Sequence, residues 1–176
     1  MDHVSAFLTH QRQYAAVGQF VSSFEWCCWK LRHYSCAILQ AKGLTDFSLA
    51  EVIFNQRVFT AEPLFSCFAS MAAQSSGQDK VLIQQLDALR SKFSKLVKAR
   101  NDLLHGTYML GIHENGEPTE MLIEKYTPDK FGTRTIEVIS SEKMMADLLR
   151  EAEEIKSEIS SVFTTVWTLI RPKSSA

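Results

Sequence analysis

The chain has 176 residues, of which 45% are apolar and 22% are charged, and its formal net charge is -1. This composition indicates a globular chain that is long enough to bury a substantial core, and we predict a single domain over residues 1–176. The near-neutral net charge argues against a protein that binds nucleic acid over most of its surface, although it is compatible with a local basic face. No apolar run reaches the roughly 18 residues of a membrane-spanning helix, and residues 1–4 lack the basic start of a signal peptide, so we expect a cytoplasmic protein without a membrane partner.

The four cysteines form no C-x-x-C pair, and two of them, Cys27 and Cys28, are adjacent. This spacing indicates neither a disulfide framework nor a zinc site, so the cysteines are predicted to be reduced packing residues. The histidines show no spacing typical of a metal site, and no glycine-rich phosphate loop occurs. The sequence therefore predicts no metal and no cofactor.

The first long pattern predicts a helix from about residue 6 to residue 42. Mostly apolar residues recur at steps of four and three from Val17 to Ile38, which places them on one stripe of a helix. Gly43 supplies the left-handed residue that commonly follows a helix end. Aromatic residues flank the stripe, so we expect this helix to be central, or buried in a dimer, with partners on more than one side: Tyr14, Phe20, Trp26, Trp29 and Tyr34.

Three further helices are predicted between residues 44 and 105. Thr45 or Asp46 can cap the first short helix, and Thr60 can cap the second, because short polar side chains accept hydrogen bonds from the first free backbone N–H groups. Asp79 is the predicted cap of a long helix over residues 80–105. The apolar stripe of this long helix is Leu82, Leu86, Leu89, Phe93 and Leu96.

The next position on that stripe is Arg100. An arginine in register with five apolar residues suggests a guanidinium held at a cleft or a subunit interface, and the alternative is an arginine that reaches water or a structural carboxylate at the helix end. Another face of the same helix carries Lys95 and Lys98, which are candidates for phosphate binding, although such a face can also be simply solvated.

After residue 106 the pattern changes to alternation, which predicts three antiparallel strands at residues 108–112, 121–126 and 134–139. Asn115-Gly116 marks the turn between the first two strands. Ser140 or Ser141 can cap a last long helix, whose stripe runs from Met145 to Leu169. The predicted fold class is all-α, an antiparallel helical bundle with a small β-meander, at about residues 107–139, inserted before the last helix.

The long helix that precedes the meander ends in the segment Arg100-Asn101-Asp102-Leu103-Leu104-His105, followed by Gly106. A helix that ends in Arg-polar-x-x-x-His, within an antiparallel helical bundle and before one more long helix, resembles the HEPN superfamily. The three-strand insert departs from the basic family pattern, and Tyr108 approximates the tyrosine that follows the histidine in the toxin branch.

The HEPN resemblance implies a metal-independent endoribonuclease, often the toxin of a defence or toxin–antitoxin system. It implies RNA as substrate and a homodimer whose cleft brings both motifs together, and the toxin variant implies an antitoxin protein as partner. The substrate-binding residues would be Lys95, Lys98 and Tyr108.

The residue types of the motif suit RNA cleavage without a metal. Such cleavage requires a base for the proton of the ribose 2′-OH and a fixed cation for the charge on the phosphorane. Histidine titrates near neutrality and arginine offers a forked donor to phosphate, so His105 is predicted as the general base and Arg100 as the phosphate clamp. Asn101 lies four residues before His105, on the same helix face, and would orient the histidine or the phosphate. The alternative for His105 is a C-terminal cap of the helix.

On an ideal helix, five residues rotate by about 500°, which leaves Arg100 and His105 some 140° apart. A distorted helix end, a curled arginine side chain or a composite site across a two-fold axis would reconcile them, and we favour the dimer because it supplies a second histidine. Glu25 could pair with Arg100, although a solvated position is favoured. The alternative function is a non-catalytic helical module that dimerises or binds a partner, with Arg100 and His105 in structural roles.

Overall fold

The computed structural model describes residues 3–105, 107–109, 122–126, 134–138 and 142–170, with side chains at residue 8 and over residues 11–104 and 143–170. Five helices make up most of the described chain, which confirms the all-α fold class. None of the described helices is long and apolar enough to cross a bilayer. The helices are α1 (His3–Ala41), α2 (Phe47–Phe54), α3 (Ala61–Ser75), α4 (Lys80–His105) and α5 (Glu142–Ile170).

The end of α1 confirms the role predicted for Gly43. This residue has a φ of 104°, in the region that favours glycine. Its N–H donates to the carbonyl of Gln40 at 3.1 Å, and the N–H of Leu44 donates to the carbonyl of Leu39 at 3.0 Å. These two bonds form a Schellman motif, which satisfies carbonyls at the end of the helix and stops it.

Aspartate side chains cap the starts of α2 and α4. The carboxylate of Asp46 accepts from the N–H of Leu49 at 3.2 Å, so Asp46 rather than Thr45 is the cap of α2. Asp79 accepts from the N–H of Leu82 at 2.8 Å, as predicted. Thr60 occupies the cap position of α3, but its side chain makes no cap hydrogen bond. Thr60 therefore lies at the predicted N-cap position of α3, but the predicted side-chain hydrogen bond to the helix backbone does not form.

Three short strands lie between α4 and α5 in the sequence: β1 (Thr107–Met109), β2 (Leu122–Tyr126) and β3 (Arg134–Val138). They pair antiparallel in the order β1-β2-β3, with Tyr108 opposite Ile123 and Glu124 opposite Ile136. Two predicted features lie outside the described residues, namely the turn at 115–116 and the cap at 140–141.

The chain divides into two compact units, one formed by Met1–Ser23 and Lys98–Ala152 and the other by Phe24–Val97 and Glu153–Ala176. We call them unit 1 and unit 2. The single domain predicted over residues 1–176 stays a prediction.

An aromatic cluster from three helices lies in the core of unit 2. Phe93 of α4 stacks on Phe24 of α1, with 5.9 Å between ring centroids, and on Phe65 of α3, with 5.2 Å. All three side chains are at most 2% exposed. Offset-stacked rings of this kind contribute beyond the area that they bury, so Phe93 ties α1, α3 and α4 together.

The aromatic residues that flank the α1 stripe have different environments. Phe20 is fully buried, and Tyr34 stacks on Phe163 of α5 with 4.0 Å between ring centroids. Tyr14, Trp26 and Trp29 remain about half exposed. The predicted contacts on more than one side of α1 therefore hold for Phe20 and Tyr34 and only partly for the other three aromatic residues. Residue type and spacing do not reveal which side chains of a helix the fold will cover.

All four cysteines are reduced thiols, in line with the predicted packing role. Cys27, Cys28 and Cys36 are buried, and Cys67 is half-buried. Burial raises the pKa of Cys27 to about 12, since an apolar environment disfavours the thiolate. Such a thiol is a poor nucleophile and a poor metal ligand.

Candidate functional site

The end of α4 carries Arg100 and Asn101, the two candidate catalytic residues whose side chains the structure describes, and both lie within unit 1. Arg100 is half-buried and Asn101 is exposed. Nη1 of Arg100 donates to Oδ1 of Asn101 at 3.1 Å. The amide of Asn101 thus contacts the guanidinium of its neighbour, a direct contact with Arg100 that the sequence analysis did not assign to it.

The burial of α4 supports the unusual position of Arg100 on the apolar stripe. Phe93 and Leu96 precede it on the stripe and Leu103 follows it, and all three are at most 2% exposed. Arg100 itself keeps partial access to solvent. A long-stemmed arginine can bury its methylene groups along such a stripe and extend its guanidinium toward the surface, and Nε of Arg100 itself is buried.

His105 is the last residue of α4, and Tyr108 lies in β1. The structure describes neither of these two side chains. The convergence of Arg100 with His105 and the role of Tyr108 therefore stay predictions.

Lys95 and Lys98 lie on α4, and both side chains are exposed. Neither forms an ion pair with any residue that the structure describes. Lys92, on the same helix, differs from them because its Nζ lies 2.5 Å from Oε1 of Glu158. Exposed lysines fit both the phosphate site and the solvated face that the sequence left open, so phosphate binding by Lys95 and Lys98 stays a prediction. Glu25 is exposed, and its pairing with Arg100 stays untested.

A polar cluster that the sequence analysis missed joins α1 to α5 in unit 2. Nζ of Lys30 donates to Oγ of Ser160 at 2.5 Å, and the hydroxyl of Tyr34 donates to the same oxygen at 3.2 Å. Ser160 in turn donates to the carbonyl of Lys156 at 3.0 Å. We call Lys30, Tyr34 and Ser160 the Ser160 cluster. Because the sequence separates Tyr34 from Ser160 by 126 residues, no local spacing could have revealed it.

The Ser160 cluster contains the residue types of a serine nucleophile with a lysine partner, but its hydrogen bonds do not support that chemistry. A hydroxyl has one donor and two acceptor positions, and in Ser160 all three are in use. The proton of Ser160 is held by a backbone carbonyl rather than by a base, which is the reverse of what an activated nucleophile requires. The cluster is therefore a packing contact between α1 and α5.

In the part of the chain that the structure describes, no group of three His, Cys, Asp or Glu side chains is arranged to hold a metal ion. The chain matches no protein-family model, and comparison with curated proteins and with solved structures likewise finds no match.

Proposed function

We propose that the protein is a metal-independent endoribonuclease of the HEPN type. The observation that carries the proposal is the state of Arg100, a half-buried residue whose guanidinium contacts Asn101 at the end of α4. An arginine on an apolar stripe, with retained solvent access and with an exposed basic face on the same helix, suits the recognition of a phosphodiester.

In the proposed reaction, His105 takes the proton of the ribose 2′-OH, and the oxygen attacks the adjacent phosphorus. Arg100 stabilises the charge that develops on the phosphorane oxygens, and the 5′-oxygen leaves with a proton from an imidazolium. The products are a 2′,3′-cyclic phosphate and a 5′-hydroxyl. Asn101 orients Arg100 through its contact with Nη1, and Lys95, Lys98 and Tyr108 bind the flanking RNA.

A homodimer completes this proposal. One histidine has to act as base while another group supplies the proton to the leaving oxygen, and a two-fold axis would provide His105 twice. It would also allow Arg100 of one chain to act with His105 of its partner, since the two residues lie on different faces of one ideal helix. In this proposal the enzyme is a cytoplasmic toxin or defence effector, which an antitoxin protein would hold inactive.

The test is cleavage of total RNA and tRNA by the purified protein in EDTA, with end-group analysis of the products. We expect 2′,3′-cyclic phosphate ends, and a loss of at least about 100-fold in rate for both His105→Ala and Arg100→Ala. Matched controls are His33→Ala and Arg57→Ala, which replace exposed residues far from the motif in sequence and should keep full activity.

Two results would contradict this function. The first is an absence of cleavage by a folded wild-type dimer, and the second is equal activity of the His105→Ala variant and its His33→Ala control. Activity that EDTA abolishes would instead indicate a metal-dependent nuclease.

The second candidate is a non-catalytic module that dimerises or binds a partner. The observation that favours it is the half-exposed pair Trp26 and Trp29 on α1, whose rings pack edge-to-face at 5.2 Å. For such a module, Arg100→Ala would lower the free energy of unfolding and no RNA would be cleaved. Light scattering of the wild type and of a Trp26→Ser variant would then report whether this face mediates self-association.

A further inference from the structure

A pocket of about 110 Å³ lies between α1 and α2, within unit 2. We call it the Arg32 pocket. Four lining residues come from consecutive turns of α1, two come from α2, and one is the residue that caps the end of α2. They are Trp29, Arg32, His33, Cys36, Glu51, Phe54 and Asn55.

Arg32 lines this pocket and is half-buried. Its Nε is buried and has no hydrogen-bond partner among the described residues. Buried N–H donors are nearly always paired in folded proteins, and those of a guanidinium are costly to leave unpaired. An anionic or strongly accepting group at the other donors of this partly desolvated guanidinium is therefore favoured in the pocket.

Glu51 supplies the opposite charge in the same pocket. Together with burial, which has the larger effect, its carboxylate raises the pKa of the Cys36 thiol, so the charge of Glu51 acts on this part of the pocket lining. Although both residues line the pocket, Glu51 and Arg32 form no ion pair with each other within the described part of the chain. The pocket therefore offers a cation and an anion that do not neutralise each other by direct contact.

The aromatic residues of the pocket favour a small aliphatic ligand over a flat base. Trp29 and His33 stack on each other at 4.9 Å with 8° between their planes, so each has one ring face already covered. Phe54 is only 2% exposed, and its ring packs edge-on against Phe59. These rings form a wall, and they do not offer the two open faces between which a nucleobase would stack.

We propose that the Arg32 pocket binds a small free α-amino acid in its zwitterionic form. Arg32 would bind the α-carboxylate, for which its forked donors are suited, and Glu51 would bind the α-ammonium. The volume of the pocket equals that of about four water molecules in the liquid, which suits a ligand of about six or seven heavy atoms, such as alanine or serine. The site lies in unit 2 and does not depend on the proposed ribonuclease activity.

The test is isothermal titration calorimetry of the full chain with L-alanine, L-serine and L-threonine in separate experiments. We expect at least one of them to bind at a single site with a Kd of about 0.1 to 1 mM. Acetate and methylamine each carry half of the zwitterion and should bind at least about tenfold more weakly. Arg32→Gln and Glu51→Gln should each weaken binding at least about tenfold, and Arg57→Gln, at an exposed position, should leave it unchanged.

Three outcomes would overturn the proposal. They are the absence of saturable binding by any of the three amino acids up to about 10 mM, equal binding of acetate and alanine, and tighter binding of a nucleoside monophosphate. Circular dichroism monitors folding of each variant. If Arg32→Gln does not fold, Glu51→Gln alone decides the matter, because Glu51 is exposed and its replacement by an isosteric amide leaves the packing intact.

Discussion

The hydroxyl of Ser160 provides a sharp test of how α1 and α5 are held together. Ser160→Ala removes one acceptor that serves both the Lys30 ammonium at 2.5 Å and the Tyr34 hydroxyl at 3.2 Å. Hydrogen bonds to charged groups contribute about 1.5–3 kcal/mol, and both donors are half-buried, so we expect a loss of about 2 kcal/mol in the free energy of unfolding. For a chain of this length, that loss lowers Tm by about 4–8 °C.

The matched control for this variant is Ser161→Ala, at the neighbouring exposed position of the same helix. Both substitutions gain the same helix propensity, so the difference between them isolates the hydrogen bonds of Ser160. The assay is urea unfolding followed by far-UV circular dichroism, with m-values compared between variants. A double-mutant cycle with Lys30→Met should give a coupling energy of about 1–2 kcal/mol. A Ser160→Ala variant within about 0.5 kcal/mol of Ser161→Ala would refute the reasoning.

Two further predictions concern titratable groups. Cys27 is fully buried, and its pKa is about 12. Iodoacetamide at pH 8 should therefore label the half-buried Cys67 first and Cys27 only after unfolding, which peptide mass spectrometry would show. Early labelling of Cys27 would contradict its burial. Hydrogen bonds from Ser48 and from the backbone of Leu49 hold the pKa of Asp46 below its ordinary value of 3.8, so its carboxylate stabilises the folded state above that pH and loses this contribution as it protonates. Asp46→Ala should therefore lower the urea midpoint of unfolding at neutral pH, and its difference from the wild type should shrink below pH 3.8. Asp46→Asn should keep the cap. A difference in midpoint that is independent of pH would contradict this assignment.

The sequence predicts the helices well because their signals are local. The bounds of α4 agree with the 80–105 prediction at both ends, since Asp79 supplies an N-cap and the apolar stripe keeps its register as far as Leu103. Gly43 likewise marks the end of α1, because a glycine in the left-handed region acts within a few residues of itself. Features of this kind depend on neighbours within one or two helical turns.

The features that the sequence does not reveal depend on residues far apart in the chain. The Ser160 cluster and the Arg32 pocket each combine side chains from two helices, and neither produces a motif or a regular spacing. The contact between Arg100 and Asn101 is local, but residue types alone do not show that the two side chains adopt the rotamers that bring them together. The meeting of Arg100 with His105 stays a prediction, because in the favoured arrangement it requires the symmetry of a second chain.

The long separation in sequence between Tyr34 and Ser160 affects when the Ser160 cluster can form during synthesis of the chain. A single helix forms within about a microsecond, so α1 can become helical soon after it is synthesised. Its partner residue Ser160 follows Tyr34 by 126 positions, and at about 5–20 residues per second synthesis of that interval takes roughly 6–25 s. Throughout this interval the surface of α1 that carries Lys30 and Tyr34 lacks its final neighbour. The pace of translation, rather than the speed of helix formation, therefore sets how long this surface stays accessible to chaperones in a nascent chain.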